Sequence, residues 1–184
     1  MDHSCAFTGH RPQRFPWRFN ENDPQCVALK AVLTEQITIL AKSGTTDFFS
    51  GMALGVDVWA AQSVLTLREE YPQIKLHCVL PCEDQDAKWN AAAKETYHTI
   101  LAQADSVRYV SRYYCSGCML KRDRQLVELA SVLLAVYDGK PSGGTAATVR
   151  YAQERKKEII CIEPISLRVT HKKLSGGYVG IAPF

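Results

Sequence analysis

Apolar positions along the chain follow two alternating rhythms. Short apolar runs recur at 5–8, 46–49, 74–80, 106–110, 132–137 and 158–162; their lengths and the turn residues around them suit strands. Between them lie longer segments with apolar residues three or four apart. In 22–43 these are Val27, Leu29, Val32, Leu33, Ile37, Leu40 and Ala41, with Gly44 as a stop. Helices are predicted likewise over 55–71 (ended by Pro72), 86–103, 117–130 and 144–156. The run 132–137 is apolar almost throughout, as expected of a central parallel strand buried on both faces. Regular alternation of strand and helix predicts an α/β fold: a Rossmann-like doubly wound, mostly parallel sheet of about six strands with helices on both faces. The 184 residues read as one domain (1–184) with a core over about 5–162. The tail 163–184 has no such rhythm and is either a short added strand or a loose end.

In this class of fold, ligands bind beyond the carboxyl ends of the strands, near the point where strand order reverses. The loops there start at Gly9, Ser50, Pro81, Ser111 and Asp138. Ser50-Gly51-Met52-Ala53-Leu54-Gly55-Val56-Asp57 joins a strand to a helix. Its glycines permit positive φ and close approach, and the helix start favours an anion. The plain structural alternative is a tight turn with Asp57 as a favourable N-terminal charge. Ser142-Gly143-Gly144-Thr145 stands in the same kind of place, a second phosphate cradle or a turn with Thr145 as N-cap. In Thr8-Gly9-His10-Arg11, Arg11 suits a phosphate and His10 suits hydrogen bonding or acid–base work. A capped loop with a solvent-facing Arg accounts for the same residues. Arg122 opens Arg122-Asp123-Arg124 at a helix start, against the dipole preference, so it points to a carboxylate or phosphate partner or to solvent. Trp59 and Trp89 are either core or a wall for a base. No Walker A pattern and no G-x-G-x-x-G fingerprint is present, which disfavours a P-loop ATPase and an ordinary NAD dehydrogenase.

Composition adds limits. Hydrophobic content of 46%, charged content of 22% and a net charge of +3 are those of an ordinary globular chain. They make no electrostatic case for a nucleic-acid or membrane partner. No apolar run nears the ~18 residues of a membrane helix, and the first residues lack a signal peptide's basic and apolar regions. A cytoplasmic location without membrane association is therefore expected. The seven cysteines are odd in number and irregularly spaced, so free thiols are expected. The single C-x-x-C, Cys115 to Cys118, lacks the further ligands of a structural zinc, and no metal site is predicted.

As an ordered set, Thr8-Gly9-His10-Arg11-Pro12, the turn 50–57 continuing into Val58-Trp59-Ala60-Ala61, Trp89, Arg122-Asp123-Arg124, Tyr137-Asp138-Gly139 and Gly143-Gly144-Thr145 resemble the YpsA-type branch of the SLOG superfamily over about 5–162. The superfamily is Rossmann-like. It includes the DNA-processing protein DprA and the LOG phosphoribohydrolases, which release cytokinin bases from nucleoside monophosphates. The turn 50–57 resembles the DprA motif Ser-Gly-x-Ala-x-Gly-x-Asp, and Arg122-Asp123-Arg124 resembles its Arg-Asn-Arg with Asp in place of Asn. Aligning Gly144-Thr145 with the LOG motif Gly-Gly-x-Gly-Thr-x-x-Glu puts Thr148 where the LOG carboxylate stands. The resemblance implies a nucleotide-associated fold, a homodimer and a nucleotide-derived ligand, with no cofactor assigned. Three functions stay open. The chain is a binder of a phosphorylated nucleotide-type ligand, acting as sensor or processor. Alternatively it is a hydrolase of an N-glycosidic or phosphate bond, with Asp57, Asp138 and His10 as acid–base candidates. Or it is a DprA-like module for single-stranded DNA or a partner protein.

Overall fold

The computed structural model describes residues 3–173. Within them the chain runs β1 (Ser4–Gly9), α1 (Pro24–Lys42), β2 (Asp47–Ser50), α2 (Val56–Leu67), β3 (Lys75–Leu80), α3 (Ala91–Gln103), β4 (Ser106–Tyr109), α4 (Cys118–Leu129), β5 (Val132–Val136), α5 (Gly144–Glu154), β6 (Glu158–Ile162) and β7 (Val169–Lys172). The strands form one sheet in the order β4-β3-β2-β1-β5-β6-β7. Every neighbouring pair is parallel except β6 with β7. The α/β doubly wound prediction is correct. The expected six strands become seven because part of the tail, Val169–Lys172, turns back through Glu163–Arg168 and pairs antiparallel along β6. The rest of the predicted tail, 174–184, lies outside the described residues.

The sheet separates two cores, as the period-two side-chain alternation of its strands requires. Cys5 and Phe7 of β1 face a cluster with Leu29, Leu33 and Ile37 of α1, Trp59 and Val64 of α2, and Tyr97 and Ile100 of α3. Ala6 faces the other side, with Leu126 and Val127 of α4 and Val149 and Ala152 of α5. Three helices therefore cover one face and two the other. The helices α1 to α3 carry the chain outward from β1 to β4. Helix α4 then returns beneath the sheet, in contact with β1, β2 and β3, and delivers β5 to the other side of β1. Strand order reverses between β1 and β5, and ligands of open α/β sheets bind at such a point.

Helix starts differ from the predicted ones where a capping side chain decides. Residues 86–89, predicted as helix, form turns. Asn90 caps α3 instead, accepting the Ala93 N–H at 2.8 Å. Helix α1 starts at Pro24 behind Asp23, whose Oδ1 accepts the Gln25 N–H at 2.8 Å. Pro at the first position suits a helix because its missing N–H would have had no partner there. Asp23→Ala is expected to cost about 1 kcal/mol and to lower the melting temperature by about 2–4 °C, as read by circular dichroism. No helix among the described residues is long and apolar enough to cross a membrane, and all seven cysteines are free.

Candidate functional site

The register of β1 on β5 begins the site. Thr8 pairs with Ala135 and Gly9 with Val136, so the two strands end side by side and release His10 and Asp138 at the same edge. His10 Nε2 lies 3.0 Å from Asp138 Oδ1, and Arg14 Nη2 lies 3.6 Å from Oδ2. The imidazole is 4% exposed and packs edge-on against Phe15 and Tyr137. Burial lowers its pKa more than Asp138 raises it, so His10 is neutral near pH 7 and donates to the carboxylate. Burial works to raise Asp138, but the Lys140 N–H, His10 and Arg14 outweigh it and hold the carboxyl below its usual range.

The turn 50–57 divides into scaffold and lining. Ser50 is fully buried; its Oγ donates to the Asp57 carbonyl at 2.9 Å and accepts the Met52 N–H at 3.1 Å. The Gly51 carbonyl accepts from Arg122 Nη1 and from Gln85 Nε2. Ser50 and Gly51 thus hold the turn together and do not line the cleft, whereas Ala53 and Asp57 do. Gly55, with φ of +92°, caps α2 against the His10 carbonyl and Pro12, and Gly9 lies so close to Val56 that a Cβ there would overlap its side chain. These two glycines seat the start of α2 on the end of β1.

Asp57 is buried in the first turn of α2, and the Ala53 N–H reaches its Oδ2 at 3.4 Å. Burial raises its carboxyl to about 6, against the pull of Arg122, the Ala53 amide and Arg11. The folded chain therefore holds this proton more tightly than the unfolded chain, where the value is near 3.8. The resulting stability is fully present below about pH 4 and is lost as pH rises through about 6. Asp57→Asn is expected to abolish this loss. Its stability relative to wild type should grow by on the order of 2 kcal/mol between about pH 4 and pH 8, measured by denaturant titration at each pH.

Across the switch point, Gly143 (φ +98°) precedes α5, which has no side-chain cap and no acidic residue in its first turn. Its first amides are left for another partner. Gly144 starts the helix, and a Cβ there would meet nothing nearer than Asp123 Oδ2 at 3.9 Å. Thr148 is buried and donates to the Gly144 carbonyl at 2.9 Å.

One cleft of about 370 Å³ joins these parts. Gly9, His10, Arg11, Asp57, Arg122, Gly143, Gly144 and Thr145 line it together, so the two glycine turns meet. Asp138 flanks it through His10 and Arg14. Arg122 is 4% exposed, with Nε on Asp123 Oδ1 at 2.7 Å. Ser142, the first residue of the second predicted cradle, also lines the cleft, as do Gln13, Arg14, Met119 and Asp123, which were not among the predicted site residues; Gln13 and Arg14 sit in a segment with no recognisable spacing. Trp59 does not reach the cleft. It is 3% exposed, stacks on Phe15 and donates from Nε1 to Glu21 at 3.0 Å. Trp89 lies outside it too, on an adjoining groove of about 700 Å³ that also takes in Gly55. Within the cleft, Arg11, Arg14 and Arg122 face Asp57 and Asp123, so side-chain charge nearly balances and the start of α5 supplies the added preference for an anion.

Comparison with known proteins identifies the family and the fold. The sequence model of the YspA SLOG family, YpsA, matches residues 5–167. The chain is similar to the UPF0398 protein of Bacillus pumilus (strain SAFR-032), 35% identical over 150 residues that make up 80% of each chain. It is also similar to the UPF0398 protein YpsA of Bacillus subtilis (strain 168), 29% identical over 171 residues, 90% of this chain and 94% of that one. Among solved structures, DNA processing protein A of Helicobacter pylori, described for its single-stranded DNA binding mode, superposes with a TM-score of 0.60 at 22% identity, covering 93% of this chain and 68% of that one. DprA of Streptococcus pneumoniae gives 0.58 at 14% identity, covering 89% of this chain and about half (53%) of that one. With the family model spanning nearly the whole described chain, and a fold shared with the DprA structures, this protein belongs to the YspA SLOG family.

Proposed function

We propose that the protein binds a nucleotide or nucleotide-derived phosphorylated ligand at the carboxyl edge of its sheet, with phosphate against the start of α5. The observation that carries this is the uncapped, acid-free first turn of α5, whose first residues line a cleft shared with Arg11, Arg14 and Arg122. Helix starts α1 and α3 carry side-chain caps. Helices α2 and α4 lack them as α5 does, but α2 has Asp57 in its first turn, and Gly117 and Cys118 at the start of α4 do not line the cleft, while α5 presents two glycines and a threonine to it. Backbone N–H groups at a helix start, aided by arginine, are a common phosphate site. The binder reading asks less than the hydrolase reading, because His10 is committed to Asp138 and Thr148 to the helix backbone.

Calorimetric titration and thermal shift with AMP, ADP and inorganic pyrophosphate test it. A ligand at a hundred times its Kd should stabilise the fold by about 2.7 kcal/mol and raise the melting temperature by about 5–10 °C. Chromatography should recover the nucleotides unchanged. No heat and no shift with any of them would sink the reading. A second reading, single-stranded DNA binding, is favoured by the DprA likeness and by exposed Tyr113 and Tyr114, with Arg112 lying 5.3 Å from the Tyr113 ring centroid, a stacking surface of the kind that takes bases. An oligonucleotide mobility shift that weakens steeply with salt supports it; no shift at low salt counts against it.

A further inference from the structure

The cleft at the switch point continues outward. Arg11, Gln13, Ala53 and Met119 line both the cleft and the adjoining groove, and so form a neck between them. Beyond that neck the groove changes character. Its walls include Trp89, Phe19, Leu54 and Val58, with Lys88 beside them. Phe19 is 59% exposed, so its ring is open to an occupant of the groove. Trp89 is held edge-on by Tyr97 at 5.1 Å between ring centroids, which fixes the plane of the indole. The Gln85 amide, also on the groove, donates to the Met52 carbonyl at 2.7 Å and the Gly51 carbonyl at 3.3 Å. Gln85 thus ties the groove to the turn 50–57.

Resting on the phosphate reading above, we infer that the groove lined by Trp89 and Phe19 is the base subsite of a nucleoside diphosphate or a molecule built on one, with Arg11 at the neck meeting the α-phosphate and the β-phosphate at the start of α5. Three features select this occupant. The aromatic walls suit a flat heteroaromatic ring, which stacks on such side chains with little regard to sequence. The neck arginine suits a phosphate between the two ends. The cleft alone is near the lower bound for a small-molecule site, and cleft with groove reaches its upper range, so the space suits a ligand longer than a single phosphate and sugar. The buried Trp59 has no part in the base site.

The test uses ADP, AMP and inorganic pyrophosphate on the whole chain. ADP should bind about tenfold more tightly than AMP, the value of one charge-assisted contact. Phe19→Ala and Trp89→Ala should weaken ADP about tenfold to a hundredfold, as loss of a stacking partner does, and leave pyrophosphate unchanged. Phe19 is exposed, so its variant keeps the test valid if Trp89→Ala perturbs folding. ADP should also quench tryptophan fluorescence, and Trp89→Phe should remove the quench while keeping affinity. Unchanged ADP binding in Phe19→Ala and Trp89→Ala, or equal weakening of ADP and pyrophosphate, overturns the base subsite and leaves the phosphate reading standing. Wild-type protein that binds neither ADP nor pyrophosphate overturns both.

Discussion

Gly144→Asp is expected to weaken nucleotide binding at least about a hundredfold while the protein stays as stable as wild type. The backbone at Gly144 is helical and a Cβ there has open space, 3.9 Å from the nearest atom, Asp123 Oδ2. Aspartate at a helix start interacts well with the dipole, by about 0.3–1 kcal/mol, and replacing glycine restricts the unfolded chain. Repulsion from Asp123 offsets part of that gain. For the ligand the same carboxylate is a like charge where its phosphate should lie, which costs several kcal/mol, and each 1.4 kcal/mol is tenfold in Kd. Few substitutions separate folding from binding so cleanly. Calorimetric titration beside a melting curve checks it: unaltered affinity would move the phosphate away from α5.

At Gly55 a loss of stability is expected. Its φ and ψ of +92° and −126° lie where side-chain-bearing residues are strained by about 1–3 kcal/mol. A Cβ there would stand 3.0 Å from the His10 carbonyl oxygen and 3.0 Å from Pro12 Cδ, an overlap worth a further 1–3 kcal/mol or so. Gly55→Ala should therefore lose about 3 kcal/mol and lower the melting temperature by about 6–12 °C. Binding should weaken as well, because the collision displaces the His10–Pro12 loop that carries Arg11 into the cleft. A variant that melts with wild type would show that this turn is not the joint between β1 and α2.

Much of this was legible in the sequence. Strand and helix rhythms placed the first six strands because each must bury an apolar face, and that demand is local. Alternation then implied the parallel sheet, and the sheet implied the edge where ligands bind. The residues of the cleft follow from loop position alone: Gly9, His10 and Arg11 from the end of β1, Gly143 to Thr145 from the start of α5. What stayed hidden depends on contacts far apart in sequence. Ser50 and Gly51 look like a cradle until Asp57, Arg122 and Gln85 are seen to engage their hydroxyl and carbonyl. Trp59 and Trp89 are alike as sequence, and burial under Phe15 and Glu21 separates them. Strand β7 lacks an apolar rhythm because it is an edge strand, mostly exposed and held by pairing to β6. Asp123 was passed over for its neighbour Arg122, although one turn of α4 brings both to the cleft.

The central claim is that the first amides of α5 hold phosphate. Two-dimensional amide NMR of the 15N-labelled protein, titrated with ADP, observes those groups directly. The account predicts saturable shifts of the Gly144 and Thr145 resonances, reproduced by inorganic pyrophosphate and absent in Gly144→Asp. Saturable binding of ADP that leaves the Gly144 and Thr145 resonances in place would contradict it.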